Sequence, residues 1–158
     1  MNLQIAFTGP RKLTKIEEKR VYCVLLTTQA RANDWHVGDA QGLDSFIVRA
    51  AEYWNKNLTV HQIQTQKKWG FAERSQRMIR SATKLGEVTL FAFPNKLCPE
   101  SCTPKSAFSG YGSGTWGTIA YAWSQGVNLE IHPLFSLKEY ADTSWMPDWM
   151  VQKQLKLF

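Results

Sequence analysis

Val88-Thr89-Leu90-Phe91-Ala92-Phe93 is apolar at every position but Thr89, and Pro94 stops it. A strand apolar on both of its alternating faces must be covered on both, which is the place of a central strand in a parallel sheet. Shorter runs of the same kind lie on either side. Leu3-Gln4-Ile5-Ala6-Phe7 ends in the turn Thr8-Gly9-Pro10-Arg11, and Trp35-His36-Val37 ends in Gly38-Asp39-Ala40-Gln41-Gly42. Leu58 to Ile63 alternates and is rich in β-branched residues, and Val127 to Ile131 is a last short strand.

Helical patterns fill the gaps. Thr14-Lys15-Ile16-Glu17 fits a capping box, which predicts a helix from Lys15 to Ala32 that buries Ile16, Cys23, Val24 and Thr27. Leu43, Phe46, Ile47, Ala50, Ala51 and Trp54 recur at helical spacing, with Asn57 as the residue that closes the helix. Phe71, Ser75, Met78, Ile79 and Ala82 mark one face of a third helix, with Gly86 just past its end. A glycine-rich segment opens a fourth, Thr118 to Gln125, closed by Gly126. Strand alternating with helix predicts an α/β, Rossmann-like domain of about five parallel strands, with helices on both faces and right-handed crossovers.

With 158 residues the chain is long enough for one sizeable core. The domain is expected over residues 1–133, with a C-terminal extension over 134–158. That extension holds Trp145, Met146, Trp149, Met150, Leu155 and Phe158, an apolar set expected to pack on the domain or on a partner subunit. So much apolar surface predicts a homodimer or higher oligomer. The 44% hydrophobic and 20% charged fractions are those of a folded globular protein. No run is long enough to cross a bilayer, and the first residues lack a secretory pattern. Cys23, Cys98 and Cys102 are an odd number, which fits a reducing compartment, so the cytoplasm is the expected location. Cys98 and Cys102 are only two sulfurs, too few for a metal centre, and neither metal nor cofactor is expected. The net charge of +6 favours anionic partners.

Ligands of open parallel sheets bind outside the carboxyl ends of the strands, where every chemically loaded loop of this chain falls. Gly112-Ser113-Gly114-Thr115-Trp116-Gly117-Thr118 joins flexible glycines and hydroxyls to a helix start, a frame suited to phosphate. The candidate binding residues there are Ser113, Gly114, Thr115, Gly117 and Thr118. Gly38, Asp39, Gly42 and Asp44 form a second turn that opens a helix. Its acids suit ribose hydroxyls or helix amides better than phosphate. Gly9 and Arg11 follow the first strand. Arg74, near the start of the third helix, is a candidate phosphate ligand, whereas Arg77 and Arg80 are assigned to a solvated face.

Four segments together resemble the SLOG superfamily, the Rossmann-like group that includes the LOG phosphoribohydrolases and the DNA-processing protein A family. The small YspA/YpsA-related type is the most similar. The resemblance covers Leu3 to Pro133 and rests on Thr8-Gly9-Pro10-Arg11, Gly38 to Asp44, Arg74-Ser75-Gln76-Arg77-Met78 and Gly114-Thr115-Trp116-Gly117-Thr118. It implies a nucleotide-binding fold. LOG enzymes pair an Arg-Lys-x-x-Met motif with Pro-Gly-Gly-x-Gly-Thr-x-x-Glu. Arg74 and Met78 match the first, and Gly114, Gly117 and Thr118 the second. Ser75 stands at the Lys place, Thr115 at a Gly place, and Tyr121 where the catalytic Glu belongs. N-glycosidic cleavage needs a carboxylate to stabilise oxocarbenium charge or activate water, and Tyr does neither well near neutral pH.

The leading expectation is therefore a binder of a nucleotide-derived phosphorylated small molecule, such as an ADP-ribose-like or cyclic signal, acting as sensor, carrier or sequestering protein without assigned catalytic residues. A nucleoside-monophosphate N-glycosidase is second, requiring Asp39, Asp44 or Glu73 to replace the missing carboxylate. A single-stranded DNA-binding module is third, because the basic residues concentrate in one helix instead of forming a long track.

Overall fold

The computed structural model describes residues 2–109, 113–138 and 144–151. Among the described residues strands and helices alternate: β1 (Leu3–Thr8), α1 (Lys15–Thr28), β2 (Asp34–Gly38), α2 (Leu43–Tyr53), β3 (Asn57–His61), α3 (Gly70–Leu85), β4 (Glu87–Ala92), α4 (Gly114–Ser124) and β5 (Asn128–Ile131). The five strands form one wholly parallel sheet in the order β3-β2-β1-β4-β5. The protein has the expected α/β, Rossmann-like architecture. No helix among the described residues is long and apolar enough to cross a membrane.

Alternation along the central strands divides the core in two. Ile5 and Phe7 of β1 point to one face, where they pack with Trp35, Val37, Phe91 and Phe93 against Val21 and Leu25 of α1 and Leu43 and Ile47 of α2. Ala6 points to the other face with Leu90 and Ala92, beneath Met78 and Ile79 of α3 and Ile119 and Ala120 of α4. All but Met78 are at most 1% exposed, so β1 and β4 are covered on both sides as their composition requires.

Several local expectations are corrected. The capping box at α1 is present, Thr14 Oγ1 accepting from the Glu17 amide and Glu17 Oε1 from the Thr14 amide. The buried stripe of α1, however, is Val21, Leu25 and Thr28; Ile16 is 67% exposed, and Cys23 and Thr27 are exposed too. Apolar and polar residues are mixed around this helix, so packing against the sheet chose the face. The helix also ends at Thr28 instead of Ala32, where the Thr27 and Thr28 hydroxyls both return to the Val24 carbonyl.

Asn55, not Asn57, closes α2. It takes the left-handed conformation (φ 53°), and the Lys56 amide bonds back to the Ala51 carbonyl, a Schellman closure. Asn57 opens β3. That strand stops at His61, two residues early, because the Ile63 amide donates to Asp39 and the Gln62 carbonyl accepts from Arg77. Helix α4 begins at Gly114, four residues before Thr118.

Beyond β5, Leu134 is buried in the α1–α2 core and Met150 in the α3–α4 core. Trp145, Met146 and Trp149 are partly buried against the same α3–α4 core, and Trp149 Nε1 donates to the Cys102 carbonyl. The apolar surface these residues offered to a second copy is thus largely covered within the chain. Leu155 and Phe158 lie outside the described residues.

Candidate functional site

The strand order reverses between β1 and β4, and loops leaving their carboxyl ends diverge there to opposite faces, which opens a crevice suited to a ligand. The sequence-derived residues gather in two groups on this edge.

The first group surrounds Gly38 at the end of β2. Arg74 Nη1 reaches back from α3 to Asp39 Oδ1 at 2.7 Å, and Asp39 Oδ2 accepts the Ile63 amide at 2.9 Å. Partial burial pushes the Asp39 carboxyl up, but the Ile63 amide and the Arg74 guanidinium outweigh it and hold its pKa below the ordinary value. Asp44, in the first turn of α2, is 7% exposed and accepts the Ala40 amide at 3.1 Å. Its burial pushes the pKa up to about 6, against the pull of Arg74 and that amide. A Cβ on Gly38 would lie 2.8 Å from Asp44 Oδ2 and 2.9 Å from Arg74 Nε, so only glycine lets both side chains close over the strand end.

Gly9 and Gly42 join the first and second turns. The Pro10 carbonyl accepts the Leu43 amide, a Cβ on Gly9 would strike Leu43, and one on Gly42, at φ 72°, would strike the Arg11 backbone. Arg11 is exposed and forms no ion pair among the described residues; its guanidinium stacks 4.0 Å from the Phe71 ring centroid, while Arg74 lies 5.5 Å from the same ring. Arg74 pairs with Asp39, and Arg11 is a cation that faces solvent. Arg77 is held by Glu73 and the Gln62 carbonyl. Arg80 is exposed, its Nη1 at 3.5 Å from the Tyr121 hydroxyl.

The second group is the amino end of α4. Ser113 Oγ accepts the Trp116 amide, and the Ser113 carbonyl accepts the Gly117 amide. The Gly114 and Thr115 amides are left with no acceptor in the helix. A Cβ on Gly114 would meet nothing within 4 Å among the described residues, so there is space beside Gly114. Gly117 and Thr118 have internal roles. The Phe108 ring lies where a Gly117 Cβ would go, and the Thr118 hydroxyl bonds to the Gly114 carbonyl. Thr115 is buried, and Gly112 lies outside the described residues. No hydrogen bond or ion pair among the described residues joins the two groups. Tyr121 lies elsewhere, in a groove of about 440 Å³ between α3, α4 and the loop 104–109, lined also by Trp69, Gln76 and Phe108.

A buried polar row beneath α3 was missed by sequence reasoning. Gln4 Nε2 donates to Asp34 Oδ2, so its Oε1 faces His36 Nε2 at 2.7 Å; His36 Nδ1 lies 3.2 Å from His61 Nε2. Because an amide oxygen only accepts, neutral His36 carries its proton on Nε2 and receives the Nε2–H of His61. Burial lowers the pKa of both rings, partly offset by Asp34 at His36, and His61, also repelled by His36, Arg77 and Arg74, falls to about 4. The signal was available, since Gln4 and His36 each break an otherwise apolar strand on the side that Ala6 shares. Among the described residues no cluster of three His, Cys, Asp or Glu side chains is placed to hold a metal.

Compared with protein-family models, curated proteins and solved structures, the chain matches none.

Proposed function

We propose that the protein binds a phosphorylated, nucleotide-derived small molecule, with its phosphate on the Gly114 and Thr115 amides at the start of α4. The observation that carries this is the open position at Gly114, on the helix that follows β4 at the reversal of strand order. Two amides without helical acceptors and the positive helix end favour an anion there, and glycine admits it closely. Arg11, exposed on the same edge of the sheet and without an ion pair among the described residues, supplies a second contact. Asp39 and Arg74 pair with each other at the end of β2, which gives them a structural role there. The resemblance to the SLOG superfamily agrees with this, and Tyr121 in place of the family's carboxylate favours binding without turnover: a sensor, carrier or sequestering protein.

Calorimetric titration with AMP, ADP-ribose, NAD and cyclic ADP-ribose tests the proposal. Saturable binding of at least one, lost in Gly114→Asp, is the expected result. No heat from any of them, or a Gly114→Asp variant that binds as the parent does, overturns it. A second function, N-glycosidic hydrolysis, is favoured by Asp44, a buried carboxyl whose raised pKa suits proton transfer near neutral pH. Release of free base from AMP, abolished in Asp44→Asn, would establish it.

A further inference from the structure

Cys98 and Cys102 stand at the two ends of the turn Pro99-Glu100-Ser101, closed by the Cys102 amide on the Pro99 carbonyl at 3.0 Å. Cys98 Sγ lies 3.8 Å from the Cys102 carbonyl, and Cys102 Sγ donates to the Ala107 carbonyl at 3.2 Å. Ala107 and the adjacent Phe108 ring sit directly over Gly117 of α4. The Cys102 carbonyl also takes the Trp149 indole, whose ring packs edge-on against Trp123 of α4. Cys102 therefore ties the β4–α4 loop to α4 and to the C-terminal segment, and a second thiol stands beside it.

We propose that Cys98 and Cys102 are a redox modification site: a low-molecular-weight disulfide converts them to an intramolecular disulfide, freeing Ala107 and Phe108 from α4. Cys98 is the half-buried member and meets the oxidant; Cys102 is 4% exposed. The Cys98 thiol gives its proton to water and its sulfur attacks the oxidant, breaking that S–S bond and releasing one thiolate. Cys102 then loses its proton and attacks the Cys98 sulfur of the mixed disulfide, displacing the second thiolate. Two protein S–H bonds and one oxidant S–S bond are lost, one protein S–S bond forms, and two electrons pass to the oxidant. The neighbouring Cys102 and burial raise the pKa of the Cys98 thiol, so the first attack is the slow step and quickens as pH rises. A Cys102 sulfur in a disulfide has no S–H for the Ala107 carbonyl, so the loop loses that anchor.

The test uses the full chain carrying Cys23→Ser, which removes the exposed thiol on α1. It is equilibrated in buffers of graded reduced and oxidised glutathione, acid-quenched, and mapped by peptide mass spectrometry. A Cys98–Cys102 disulfide, lighter by about 2 Da and reversed by excess reduced glutathione, is expected. Amide hydrogen exchange across 103–109 should speed up several-fold on oxidation, and not in Cys98→Ser. Two free thiols at every ratio, a stable glutathione adduct in place of the disulfide, or unchanged exchange in the oxidised chain would each overturn the proposal. None of these readouts depends on ligand binding.

Discussion

Arg74 Nη1 and Asp39 Oδ1 meet at 2.7 Å across the end of β2, with Gly38 too close to Arg74 and Asp44 to carry a Cβ. Gly38→Ala must displace Arg74 or Asp44, and its cost is expected at about 1–3 kcal/mol in urea denaturation. In an Arg74→Ala background one obstructing side chain is gone, so the same substitution should cost less. Equal costs in the two backgrounds would separate Gly38 from this pair.

Two glycines of α4, three residues apart, should respond oppositely to alanine. At Gly114 a Cβ meets open space, and the gain in helix propensity is expected to stabilise the fold by up to about 1 kcal/mol. At Gly117 the new Cβ would lie 2.3 Å from Phe108 Cδ1, and a loss of about 1–3 kcal/mol is expected. Thermal melts of the two variants check this. Losses of the same size at both would mean that the helix start is covered.

Asp44 and His61 impose opposed pH dependences. Asp44 titrates at about 6 when folded against an ordinary 3.8, so between these values the folded chain binds more protons. Its contribution to stability is therefore lost as pH rises through that window. His61 titrates at about 4 against 6.5, so its contribution is lost as pH falls from 6.5 toward 4. Relative to the parent, Asp44→Asn should gain stability by roughly 3 kcal/mol as pH rises across its window. His61→Gln should gain a similar amount as pH falls. Difference curves of denaturation free energy from pH 3.5 to 7.5 measure both, and flat curves would contradict the burial of these groups.

Elements with a strong pattern were legible in the sequence, and those with a weak one were not. The apolar run at Val88–Phe93 placed β4 at the centre, and regular spacing from Leu43 to Trp54 gave α2 its face. At α1 the sequence pointed to Ile16, Cys23, Val24 and Thr27, whereas the sheet it packs on selects Val21, Leu25 and Thr28. The end of β3 depended on Asp39 and Arg77, distant in sequence, taking its next backbone groups. In the candidate site, glycine and charge marked the loops but not their partners. Arg74 had the chemistry of a phosphate ligand, yet only three-dimensional proximity pairs it with Asp39. Gly117 had the spacing of a phosphate loop, yet it makes room for Phe108.

In the proposed complex a phosphate rests on the first amides of α4. The most direct measurement is a titration of the uniformly ¹⁵N-labelled protein with AMP, followed by the backbone amide resonances of Gly114 and Thr115. Both are predicted to move downfield and saturate together, with Gly9 and Arg11 following, while adenosine leaves them in place. Shifts confined to Trp69, Gln76 and Tyr121, or shifts of equal size with adenosine, would place the ligand in the α3–α4 groove and contradict this arrangement.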